Sequence, residues 1–143
     1  MNLNSYERLV DEACDEGVTV VEKKFKSNAK GLCKGCKIGI SSELTTCEKK
    51  CTLAEELGHY HTTVGDIIEQ ADDAQIKQEN LARSWAVERL VSLDNIIDAV
   101  KSGNSKLHEL ADFLDVEENF LRYSLEYYQR KLGINFPLRI DLF

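Results

Sequence analysis

Ala54-Glu55-Glu56-Leu57-Gly58-His59 is the stretch on which the fold turns. If it is helical, Glu55 and His59 stand at i and i+4 and share one face. That is the spacing of a helical H-E-x-x-H zinc site, in which the two end residues bind metal and the intervening Glu polarises a metal-bound water as general base. Here Glu holds the first ligand place. Carboxylate oxygen is an acceptable zinc ligand, so Glu55 and His59 form a candidate metal pair and Glu56 a candidate base. In isolation, three such residues would more often be a solvated helix face.

Working outward, Ser42 and Thr45 or Thr46 are caps for a helix running to about His61, whose Leu53, Ala54, Leu57 and Tyr60 offer an apolar face. Upstream, Tyr6, Leu9, Val10 and Ala13 recur at helical spacing from Ser5 to Glu16, with Asn4 or Ser5 as cap and Gly17 as stop. Val18 to Glu22 is short and β-branched, and Gly31 to Ile40 reads as a hairpin around Lys34-Gly35. Downstream, a loop around Gly65-Asp66 precedes a helix over 74–91 with Ile76, Leu81, Trp85 and Leu90 as its expected buried positions. Ser92 caps a helix to Val100, and two more follow, Lys106 to Phe113 and Glu117 to Leu132, in a helix-turn-helix outline. Phe113, Leu114, Phe120, Leu121, Leu125 and Tyr128 are expected either simply to close that part of the core or to leave Tyr123, Tyr127, Tyr128 and the Phe136 to Phe143 tail as an apolar docking surface. Gly133 ends the last helix, and the apolar segment around Pro137 is expected to be an extended tail. The fold class expected is α+β: a core over 1–91 with a small sheet, then a helical extension over 92–143.

Composition narrows the function. The chain has 143 residues, 43% hydrophobic and 30% charged, with 8 Gly and 1 Pro, the balance of a helix-rich globular protein. Lys and Arg total 18 against 25 Asp and Glu, a net charge of −7 with no basic run, which argues against nucleic acid as a primary partner. No apolar stretch approaches the roughly 20 residues that span a bilayer, and the first residues carry no basic and apolar leader, so a cytoplasmic place is expected.

Beyond the central stretch, Gly31-Leu32, Lys37-Ile38-Gly39-Ile40, Cys51-Thr52-Leu53 and Thr63-Val64-Gly65-Asp66-Ile67 carry a more specific pattern. So do Gln78-Glu79-Asn80-Leu81-Ala82-Arg83-Ser84-Trp85-Ala86 and Leu110-Ala111-Asp112-Phe113-Leu114-Asp115-Val116. Together they resemble the ImmA/IrrE family of phage and mobile-element metallopeptidases over most of the chain. The resemblance implies a minimal gluzincin-like core in which a Glu on the following helix completes a zinc site. Glu79 matches that place, with Glu88 a weaker substitute; Glu56 matches the base, and Glu55 the first His. It also implies a repressor-type protein as substrate or partner.

Two further features compete for attention. Of the five cysteines, Cys33-x2-Cys36 and Cys47-x3-Cys51 approximate a four-thiolate zinc site, against a simple reading as reduced thiols. The helix-turn-helix outline invites DNA binding, yet its second helix leads with Glu117 and Glu118, which repel phosphate. Three functions remain distinct: a zinc endopeptidase acting on a repressor, a non-catalytic repressor-binding protein with the same fold, and a cysteine-zinc adaptor.

Overall fold

The computed structural model describes residues 3–62 and 72–133, and over these the chain is α+β. In order come α1 (Ser5–Asp15), β1 (Thr19–Lys23), β2 (Gly31–Lys34), β3 (Lys37–Ser41), α2 (Thr46–Thr62), α3 (Asp72–Leu90), α4 (Leu93–Lys101), α5 (Leu107–Leu114) and α6 (Glu118–Leu132). The chain forms two compact units, Met1–Ala86 and Val87–Phe143, which part inside α3. The expected loop around Gly65-Asp66 and the expected tail around Pro137 lie outside the described residues.

In the first unit, α1 begins with a capping box. Asn4 Oδ1 accepts the Glu7 N–H at 2.7 Å, and Glu7 Oε1 accepts the Asn4 N–H at 3.0 Å. It ends where the Gly17 N–H reaches Cys14 O and the Val18 N–H reaches Ala13 O, which satisfies carbonyls the helix leaves open. Tyr6, Leu9 and Ala13 are its buried face. The sheet has the order β1-β3-β2. β2 and β3 make the antiparallel hairpin expected from the sequence, while β1 pairs with β3 in parallel, Thr19 opposite Lys37 through Lys23 opposite Ser41. Ile38 and Ile40, two residues apart, point to the core and are fully buried. β2 is left as an edge strand.

Thr45 and Glu48 cap α2 reciprocally, at 3.2 and 3.0 Å. Its buried residues include Cys51, Leu53, Ala54, Leu57 and Gly58. Around its start, Glu22 Oε1 accepts from Lys49 Nζ at 2.7 Å and Glu22 Oε2 from the Tyr6 hydroxyl at 2.8 Å, which ties α1, β1 and α2 together. Burial and the Glu22 carboxylate push the Tyr6 hydroxyl well above its ordinary range.

α3 departs from expectation in what it buries. Ile76 and Leu81 are 59% and 56% exposed, and Trp85 and Leu90 are only partly covered. The buried positions are Ala82, Ala86 and Val87. A Cβ placed on Gly58 of α2 would come within 2.1 Å of the Ala82 carbonyl oxygen, so the two helices meet closely at small residues. The apolar rhythm of α3 misleads because its largest side chains would not fit between backbones this close.

The second unit contains α4, capped by Ser92 Oγ on the Asn95 N–H at 3.1 Å, followed by α5 and α6. α5 ends on Asp115 at φ 55°, a left-handed conformation that a short polar residue tolerates, and α6 starts three residues on. Ile96, Leu110, Leu121, Leu125 and Ser124 are fully buried there, and Tyr128 donates its hydroxyl to Val91 O at 2.7 Å. Phe113, expected in this core, is 51% exposed, because Leu110 and Ala111 already present the inward face of the short α5. Among the described residues no helix is long and apolar enough to cross a membrane.

Candidate functional site

A cleft of about 630 Å³ in the first unit is lined from three directions. β2 and its turn supply Gly31, Leu32, Cys33 and Gly35; α2 supplies Glu56, His59 and Tyr60; α3 supplies Gln78 and Glu79. Two glycines set its walls. A Cβ on Gly31 would lie 2.7 Å from Thr52 Cγ2 and 3.2 Å from Glu56 Cγ, so the edge strand crosses α2 at a distance that only glycine permits. Gly58 does the same for α3.

Glu56 faces this cleft, and burial raises its carboxyl above the ordinary range; the His59 ring acts in the opposite direction, and Glu55 and Glu79 add to the rise. Cys33 on the facing strand is raised by burial and then by Glu56. His59 Nε2 stands 3.4 Å from Glu79 Oε2, an interaction that an Nε2–H can make in the neutral tautomer or the imidazolium. The structure therefore brings Glu56, His59 and Glu79 to one cleft. Glu55 is absent from its lining: its Oε1 lies 3.6 Å from Arg83 Nε on α3.

The expected zinc ligands Glu55, His59 and Glu79 are thus divided between two cross-helix pairs. Among the described residues, no group of three or more His, Cys, Asp or Glu side chains stands close enough to hold a metal ion. The donor chemistry agrees, since the carboxylate in the first ligand place lies beside a guanidinium, whose positive charge an incoming zinc ion would meet. Among the described residues, as they are placed, Glu55, His59 and Glu79 do not together fit a zinc ion. Glu88, the substitute ligand, pairs with Lys131 at 2.6 Å instead.

The cysteine alternative fails on geometry. No disulfide joins the five cysteines; Cys33 lines the cleft, Cys36 is exposed in the turn, Cys47 is half-buried and Cys51 is buried within α2, and among the described residues no four-thiolate cluster forms. His61, read as an ordinary residue, stacks on Trp85 with 4.7 Å between centroids and pairs with Glu16 Oε2 at 2.6 Å; His108 is exposed.

The sequence places Arg83 and Gly31 only in the family pattern and Cys33 only among the paired cysteines, none of them at the cleft. Arg83 was discoverable: it follows Glu79 by four residues, as His59 follows Glu55, so two facing helices can match them pairwise. The sequence marks Cys33 only as one of the paired cysteines; its place in the cleft depends on how β2 crosses α2. A family model for the IrrE N-terminal-like domain of the M78 peptidases matches residues 13–126. No curated protein matches the chain.

Proposed function

The chain belongs to the M78 peptidases, the ImmA/IrrE family, and from that premise we propose that its cleft recognises an extended segment of a repressor-type protein of a phage or mobile element, by contact rather than by zinc-dependent cleavage. The observation that carries this is the edge strand β2, which forms one wall of the cleft and leaves Leu32 57% exposed beside it. An edge strand offers unpaired backbone groups to an incoming segment, and the adjacent cleft takes alternate side chains. The family is generally zinc-dependent, but the Glu55–Arg83 pair favours capture without hydrolysis in this chain. Binding of the repressor-type protein in the cytoplasm would then relieve repression without destroying the repressor. With Glu117 and Glu118 at the head of α6 and a net charge of −7, the partner is a protein and not DNA.

A second reading keeps cleavage, and Glu56 favours it: a carboxylate whose pKa is raised by burial in a cleft is a stronger base than an ordinary one, as general-base work asks. It requires Glu55 to leave Arg83.

The test is isothermal titration of the full chain with a repressor-type protein of a mobile element, with and without chelator, followed by electrophoresis of the mixture. Binding indifferent to chelator and weakened about tenfold or more by Leu32→Asp is expected, since an apolar contact beside the cleft is exchanged for a charge. Unaltered binding in Leu32→Asp would remove the cleft from the reading. A chelator-sensitive fragment that Glu56→Gln abolishes would replace capture with cleavage.

A further inference from the structure

In a helical zinc site the metal does mechanical as well as chemical work, because two side chains on one helix and one on the next are bound to the same ion. Here the two helices are joined at the same positions by side chains alone. Glu55 and His59 are four residues apart on α2, and Glu79 and Arg83 are four apart on α3. His59 meets Glu79 at 3.4 Å and Glu55 meets Arg83 at 3.6 Å, so the later α2 residue faces the earlier α3 residue and the helices run antiparallel. Between the two rungs, Gly58 lies against the backbone of Ala82.

We infer that this two-rung ladder, His59–Glu79 and Glu55–Arg83, has taken the place of a metal as the fastener between α2 and α3, and that the residue at position 55 is what decides between them. The argument is one of competing charge. A divalent ion at the cleft needs an acceptor from position 55, but Glu55 is drawn to Arg83, and an approaching cation would also meet the fixed guanidinium charge. The His59 Nε2 that would bind the ion is turned to Glu79. Both α2 groups are committed to partners on α3, and the close seating of Gly58 on Ala82 holds the register that makes both pairings possible at once. This inference goes beyond the proposed function: it concerns the two helices and holds whichever protein the cleft recognises.

The experiment uses the full chain and two readouts, neither of which needs the partner. Zinc content is measured after incubation with zinc and gel filtration, for wild type, Glu55→Gln and Glu55→His. Thermal unfolding is followed for wild type, Glu55→Gln, Arg83→Met and the double variant, with and without chelator. Wild type should retain far less than one zinc per chain, with a Tm that chelator does not move. Each single substitution should lower Tm, and the double variant should fall no further than the worse single one, the mark of two groups acting as a pair. Glu55→His removes the acceptor from Arg83 and restores an imidazole pair at i and i+4. It should bind zinc on the order of tenfold or more tighter than wild type.

Three results overturn the inference. Stoichiometric zinc in wild type that is lost in Glu55→Gln would make Glu55 a ligand. Additive Tm losses would deny the pairing of Glu55 with Arg83. A Glu55→His variant that folds, as judged by circular dichroism, yet binds zinc no better than wild type would show that position 55 does not decide.

Discussion

The helices of the two compact units are held by different means. In the second unit, α4, α5 and α6 bury large apolar side chains, Ile96, Leu110, Leu121 and Leu125, and the hydroxyls that reach inward find carbonyls, that of Tyr128 the Val91 carbonyl and that of Ser124 the Phe120 carbonyl. In the first unit α2 and α3 meet at Gly58 and Ala82 and are flanked by charged and polar pairs, with Ile76 and Leu81 of α3 turned outward. A helix pair seated on apolar bulk is stabilised by area removed from water. A pair seated on backbone contact and polar rungs contributes less stability but fixes where each functional group points, and this second arrangement is the one found at the cleft.

The contrast can be broken most severely in the second unit. Leu121→Ala removes a fully buried side chain and is expected to cost about 3 kcal/mol, read as a shift in the denaturant midpoint at unchanged slope. A loss below about 1 kcal/mol would mean that the site collapses around the deletion and that apolar bulk is not what holds these helices.

In the first unit the corresponding weak point is a residue with no side chain. Gly58→Ala places a methyl within 2.1 Å of the Ala82 carbonyl oxygen. The helices must then separate, at a cost of about 2 kcal/mol in the same denaturation experiment. Because the rungs depend on that seating, Glu55→Gln should cost measurably less in a Gly58→Ala background than in wild type. Equal costs would show that the close approach and the rungs are independent.

The smallest effect sharpens the comparison by pH. Hydrogen bonds from Lys49, and to a lesser degree Tyr6, hold the Glu22 carboxyl below its ordinary value against the effect of burial. A carboxyl lowered in the folded state adds stability that is present above the unfolded pKa and is lost as pH falls through the folded one. Glu22 is 39% exposed, so the contribution is below about 1 kcal/mol after screening. Glu22→Gln should therefore lower Tm slightly at neutral pH, with the difference from wild type closing under strongly acid conditions. A difference that persists or grows on acidification would assign the effect to packing of Tyr6 rather than to charge.

Most elements were legible because their signals are local. Asn4 with Glu7, Thr45 with Glu48 and Ser92 with the Asn95 N–H are caps written within four residues, and the β2–β3 hairpin follows from alternation around a glycine turn. The parallel place of β1 was not legible. Its burial is slight apart from Val20, so its residues carry no strong face to select a neighbour. Phe113 and Leu81 misled for a related reason: a large apolar residue at helical spacing marks a face, but not whether a partner covers it.

By itself, the sequence determined the family, the α+β class, the helix that carries Glu55, Glu56 and His59, and Glu79 as the carboxylate of the next helix, because motif spacing and capping are properties of short segments. Only the tertiary structure decided what those groups do toward one another. It set Glu56, His59 and Glu79 around one cleft with Cys33 and turned Glu55 to Arg83, because the separation of α2 from α3 and of α2 from β2 is fixed by contacts at Gly58 and Gly31 between segments far apart in the chain.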